Sequence, residues 1–288
     1  MADKAILYDA TKCTACRGCQ AACKQWNEND EYIPAPADKA GVQAKNSGSY
    51  ENPPDLSLAT WLKMEFRELE AGSKVHWLFT RRACMHCTDA ACVGVCPTGA
   101  LSHHELGFVA HNKNICIGCG LCVAACPFKV PRVGRDTTGA AKAGKCTLCT
   151  TPGLDRVAEG WGPACVKTCP THALIYGDRT ELVTTANKRV RALRDKGWTN
   201  ANLFGEKEFG GLHVMYLLDN PPGVYGVPTA SGGAAGVYVG PTESGSSAGA
   251  IDWRSVLSAA GGAVGAAVIL GLGLKWIIAR RAKKKEED

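Results

Sequence analysis

Residues 116–127 read CIGCGLCVAACP, with thiols at Cys116, Cys119, Cys122 and Cys126 and a proline at Pro127. The first three cysteines sit on one tight loop whose backbone amides can point at sulfur. The fourth lies in a chain already leaving that loop. Three other groups are built alike: Cys84, Cys87, Cys92 and Cys96-Pro97; Cys146, Cys149, Cys165 and Cys169-Pro170; and Cys13, Cys16, Cys19 and Cys23. Together they use all sixteen cysteines of a 288-residue chain. Only Cys23 departs from the pattern, because Lys24 follows it where the others have proline.

Three uses of so many thiols compete. A disulfide framework suits small secreted domains, whereas this chain is long enough to bury its own cores. Its first residues, MADKAILYDATKC, lack the apolar run that secretion requires. Zinc prefers two separated cysteine pairs folded onto one ion. The group at 146–169 alone would suit zinc, but the group at 116–126 would not. Its spacing resembles the bacterial ferredoxin pattern, in which the fourth cysteine ligates the other cluster of a pair.

Crossing of that kind assigns every thiol. The neighbouring groups give one site of Cys84, Cys87, Cys92 and Cys126, and a mate of Cys116, Cys119, Cys122 and Cys96. Between them TGALSHHELGFVAHNKN reads as a hairpin around Glu105-Leu106-Gly107. The outer groups pair likewise, giving Cys13, Cys16, Cys19 and Cys169, and then Cys146, Cys149, Cys165 and Cys23. On this reading Cys23 serves a different centre from its neighbours. The expected cofactors are four 4Fe-4S clusters.

Cys96-Pro-Thr-Gly-Ala-Leu101 returns as Cys169-Pro-Thr-His-Ala-Leu174, an internal repeat. The expected fold class is α+β, with two interleaved ferredoxin-like units over 1–222, the second inserted at about 80–130. Aromatic content is only 7%, which points to metal–thiolate bonds as a main organiser of the fold. The formal charge of +6 counts every thiol as neutral. Four oxidised clusters of about −2 each would bring it to roughly −2, so no nucleic-acid partner is expected. Arg17, Lys24, Lys129, Arg132, Arg135, Lys142, Lys145 and Lys167 crowd the cysteine groups, either as a solvated surface or as local compensation of cluster charge.

The whole pattern resembles the four-cluster electron-transfer subunits of molybdopterin oxidoreductases. KCTACRGCQAACKQWN at 12–27, WLFTRRACMHC at 77–87, GGLHVMYLLDN at 210–220 and Tyr225-Gly-Val-Pro228 resemble the beta subunit of respiratory formate dehydrogenases more narrowly. Related nitrate reductase subunits carry Trp for one cysteine of the group at 146–169; here all four are present. The resemblance implies a non-catalytic conductor. Its partners would be a molybdenum or tungsten pterin alpha subunit that oxidises formate and a membrane cytochrome b leading to quinone. The equivalent subunit of a hydrogenase or another molybdopterin oxidoreductase is the nearest alternative. A zinc-bound structural scaffold is the alternative of another class.

Outside the cysteine groups, Thr180–Lys196 has apolar residues at helical spacing and a stop at Gly197, and His213–Leu218 reads as a strand. Residues 223–250 form a Gly/Pro/Ser-rich connector, expected to be extended. Residues 251–279 contain 19 uncharged positions, Val256–Leu274, which as a helix span about 28 Å against a hydrocarbon core of roughly 30 Å. Trp253 and Trp276 bracket the span as interfacial anchors. One pass through the cell inner membrane is expected, with the basic tail 280–288 cytoplasmic and the cluster domain on the periplasmic side. Export with a signal-bearing partner by the twin-arginine route is what the resemblance implies; the internal Arg81-Arg82 pair is not that signal. His86 is expected as a near neighbour of a cluster or on the surface, and His103, His104 and His111 are expected to be exposed. His172, standing where the repeat has Gly99, has no role that the sequence reveals.

Overall fold

The computed structural model describes residues 3–29, 50–71 and 74–228. The expected membrane span, the tail and most of the connector lie outside them. Among the described residues no helix is long and apolar enough to cross a membrane.

The chain mixes short helices and strands. It runs β1 (Lys4–Asp9), α1 (Gly18–Trp26), β2 (Lys63–Ala71), β3 (Lys74–Arg82), α2 (Ala91–Gly94), β4 (Leu101–His103), β5 (Val109–His111) and α3 (Leu121–Ala125). It continues through β6 (Arg132–Arg135), β7 (Ala141–Gly144), β8 (Thr150–Thr151), β9 (Leu154–Asp155), α4 (Ala164–Lys167) and β10 (Leu174–Asp178). The described fold closes with α5 (Arg179–Asp195), β11 (Asn202–Phe204) and β12 (Val214–Leu218).

One four-stranded sheet, ordered β10-β1-β12-β11, organises these pieces. β1 lies antiparallel to β10 and parallel to β12. Side chains alternate between faces along a strand. Ala5, Leu7, Met215 and Leu217 therefore meet one layer, packed on Leu182, Ala186, Val190 and Leu193 of α5. Ile6, Tyr8, Val214 and Tyr216 point the other way, into a core that also holds Cys23 and Cys165. The helix expected over 180–196 is thus present as α5, and Gly197 ends it with φ +90. The strand expected from His213 begins one residue later.

The other helices pack in two pairs, α1 with α4 and α2 with α3. The expected hairpin is β4–β5. Its tip docks on the main sheet, with Lys4 N donating to Leu106 O at 3.0 Å. Gly107 is required there, since its φ is +91 and a Cβ would come within 2.4 Å of His213 Nε2.

Three expectations need correction, and one element was not expected. Scarce aromatics do form a core: Tyr8, Trp61, Phe108, Phe204, Tyr216 and Tyr225 are all buried. His111 is buried rather than exposed, and of the two places expected for His86 the surface one is excluded, since it is buried. The described start of the connector is not extended, because Pro222–Tyr225 coils into a 3-10 turn and buries Tyr225 and Val227. The long β2–β3 hairpin was not foreseen at all.

Candidate metal centres

Each Cys-x2-Cys loop turns by the same device. The residue before its second cysteine is left-handed: Ala15 at φ 53, His86 at 51, Gly118 at 66 and Leu148 at 59. That turn aims backbone amides at sulfur, an anion-binding arrangement. Ala15 N donates to Cys13 Sγ at 3.3 Å and Leu148 N to Cys146 Sγ at 3.4 Å. Ala143 N reaches Cys116 Sγ at 3.3 Å, and Leu101 N reaches Cys96 Sγ at 3.5 Å.

A second device follows each Cys-Pro. The third residue after the cysteine is left-handed again: Gly99 at φ 68, Lys129 at 47 and His172 at 50. This gives His172 a place, if an ill-suited one, as the turn residue of its repeat. The Lys24 anomaly resolves in the same way. Cys23 lies inside α1, which continues to Trp26, and a proline at 24 would break that helix. By contrast α3 stops at Ala125, leaving Cys126 extended as the residue before a proline must be.

The folded chain brings the thiols together in fours. Cys13, Cys16, Cys19 and Cys169 line one cavity. Cys84, Cys87, Cys92 and Cys126 line a second, and Cys96, Cys116, Cys119 and Cys122 a third. Cys23, Cys146, Cys149 and Cys165 are all buried. Burial drives the Cys23 thiol well above its ordinary pKa, and Cys146, Cys165 and Cys149 drive it further. Asn27 Nδ2 lies 3.8 Å from Cys23 Sγ and 4.0 Å from Cys149 Sγ. All sixteen thiols are free, with no disulfide among them.

Their electrostatics fit an iron–sulfur group. Burial, with neighbouring thiols adding to it, pushes Cys19 and Cys149 up to about 12 and Cys84, Cys122 and Cys126 up to about 11. Such thiols lose their protons only to a strongly positive partner, which is how thiolate centres couple metal binding to folding. Cys96 goes the other way: burial raises it, but the Leu101 amide and Thr98 outweigh that and lower it. Among the described residues no three His, Cys, Asp or Glu side chains are placed to hold a single metal ion. In the three cavities the thiols surround a space, as a multi-atom cluster requires.

Adjacent sets touch electrostatically. Cys19 of the first set interacts with Cys165 of the second, Cys84 of the third with Cys146 of the second, and Cys92 of the third with Cys122 of the fourth. Of all sixteen thiols only Cys16 and Cys119 are exposed, one in each terminal set. Two buried cations stand at the inner junctions. Arg81 Nη2 lies 3.8 Å from Cys165 Sγ, and Lys145 Nζ donates to Val109 O and Cys146 O, both at 2.8 Å.

Sequence reasoning named Lys145 among many basic residues but missed Arg81 and Asn27 as neighbours of the thiols. Alternation gave no signal for Arg81: on β3 it shares a face with the half-buried Phe79 and the exposed Trp77.

Residues 75–179 match the 4Fe-4S dicluster domain family. The chain is 40% identical over 228 residues to the formate dehydrogenase-O iron-sulfur subunit of Escherichia coli (strain K12), covering 78% of this chain and 70% of that one. It belongs to the family of formate dehydrogenase iron–sulfur subunits. The nitrate-inducible formate dehydrogenase iron-sulfur subunit of the same organism is 39% identical over 231 residues, covering 79% of this chain and 73% of that one. A more distant likeness, 30% identity over 249 residues, joins this iron–sulfur subunit to the Hydrogenase-2 operon protein HybA of Escherichia coli O157:H7, over 75% and 70% of the two chains. An iron–sulfur subunit of this family transfers electrons and is not itself the catalyst.

Proposed function

We propose that this subunit carries electrons from a formate-oxidising molybdopterin subunit to a membrane cytochrome b through four 4Fe-4S clusters. Their ligands are Cys13, Cys16, Cys19 and Cys169; Cys146, Cys149, Cys165 and Cys23; Cys84, Cys87, Cys92 and Cys126; and Cys116, Cys119, Cys122 and Cys96. When bound, the clusters supply one-electron acceptor sites. The observation that carries this reading is the grouping of the thiols in sets of four, three of them each lining one cavity and the other buried, with exposed cysteines only in two of the sets.

The chain's own residues do the rest. Amides of Ala15, Leu101, Ala143 and Leu148 hold thiolates. The Tyr8, Phe108 and Tyr216 core keeps water from the inner sets. The helix pairs α1–α4 and α2–α3 support two interleaved ferredoxin-like units, each holding two clusters. A zinc scaffold is disfavoured by the spacing of the cysteine groups, which follows the ferredoxin pattern rather than two separated pairs.

Iron and acid-labile sulfide in the anaerobically purified complex test the count: about sixteen irons per chain are expected. A protein without iron would end the proposal. Formate should bleach the clusters; bleaching by hydrogen alone would favour the hydrogenase reading that the HybA likeness supports.

The uncharged stretch Val256–Leu274 and the basic tail support single-pass anchoring in the inner membrane, with the cluster domain periplasmic. Protease added to spheroplasts should then digest the cluster domain; protection would reverse the orientation.

A further inference from the structure

Two adjacent arginines on β3 meet opposite fates. Arg82 pairs with Asp55 at 3.0 Å and Glu65 at 3.2 Å. Arg81 is 0% exposed, and among the described residues no carboxylate pairs with it. Its Nε and Nη1 have no hydrogen-bond partner among the described residues. Its backbone is nevertheless held firmly: Tyr216 Oη donates to Arg81 O, and Tyr8 Oη donates to Phe79 O at 2.8 Å. Both tyrosines come from the main sheet, so the fold clamps this strand and turns the guanidinium inward.

A buried cation without a counter-charge is costly, and a guanidinium cannot escape by losing its proton. Negative charge must therefore reach Arg81 from the groups around it. Those groups are thiols from two different sets. Nη2 lies 3.8 Å from Cys165 Sγ, and the same side chain lines the cavity of Cys13, Cys16, Cys19 and Cys169.

We propose that Arg81 is a fixed counter-charge shared by the first and second clusters, and that it holds up the reduction potentials of both. The inference rests on the cluster reading above. Each one-electron reduction adds a negative charge to a site already negative, and a nearby cation in a poorly screening interior favours that step. Because one guanidinium serves both sites, its removal acts on two clusters and spares the other two.

The test is an EPR-monitored redox titration, with dithionite as reductant, of the whole complex carrying Arg81→Gln or Arg81→Lys. Arg81→Gln should lower two of the four midpoint potentials by at least tenfold in the reduction constant, about 59 mV for one electron. Arg81→Lys, which keeps the charge, should restore most of that shift. Unmoved potentials, or an equal shift of all four, would overturn the proposal. If Arg81→Gln fails to load iron, Arg81→Lys decides: four clusters at near wild-type potentials support the role of charge, and iron loss there too overturns it. Wild-type protein without iron would sink the cluster reading itself, whereas full iron with unmoved potentials sinks only the role of Arg81.

Discussion

Cys23 and Cys149 share one amide donor. Asn27 Nδ2 stands 3.8 Å from the first sulfur and 4.0 Å from the second, and is anchored by a 2.8 Å bond to Cys23 O. Hydrogen bonds to cluster sulfurs raise reduction potential. Asn27→Leu should therefore lower one potential of the four and cost about 1 kcal/mol of stability. Redox titration and chemical denaturation measure the two effects. A stability loss with all potentials unchanged would mean that the amide only braces the helix end.

His172 occupies a left-handed turn at φ 50 and is exposed. Its repeat partner Gly99 adopts φ 68 without strain. His172→Gly should stabilise the protein or leave it unchanged, within about 1 kcal/mol. His172→Val should destabilise it, because a branched side chain resists positive φ. Denaturation midpoints of the two iron-loaded variants check the order.

Iron removal should not unfold the chain uniformly. α2, α3 and α4 span four or five residues each, too short to persist without their thiolate anchors. The layer between α5 and the main sheet contains no cysteine. Hydrogen exchange after chelation should show protection lost at α2, α3 and α4 and kept in α5. Equal loss everywhere would show that the metal centres hold even that layer.

Asp55 gives acid a point of attack. Burial raises its pKa, but hydrogen bonds from Arg132 and the Leu56 amide, with the Arg82 charge, outweigh it and leave the carboxyl below its ordinary value. A depressed folded pKa adds stability above the unfolded value, near pH 4, which is lost as pH falls through the folded value. Wild type should exceed Asp55→Asn in denaturation midpoint at neutral pH, and the gap should close in acid. A gap that is constant with pH would exclude the linkage.

The thiol groupings were legible because ligation fixes both residue type and spacing. α5 was legible for a similar reason: Leu182, Ala186, Val190 and Leu193 repeat on one face. β2–β3 was not, because its buried positions include Lys63 and Glu65 on one face and Arg81 on the other, all of which read as surface. Lys63 is satisfied by Glu51 at 2.7 Å and by Pro54 O, and Glu65 by Arg82.

The two exposed thiols, Cys16 and Cys119, have a further consequence. A conductor bare only at its tips corrodes from the tips inward, so oxidants would reach the terminal centres first. Subunits seated over those loops would thus serve as insulation as well as contacts.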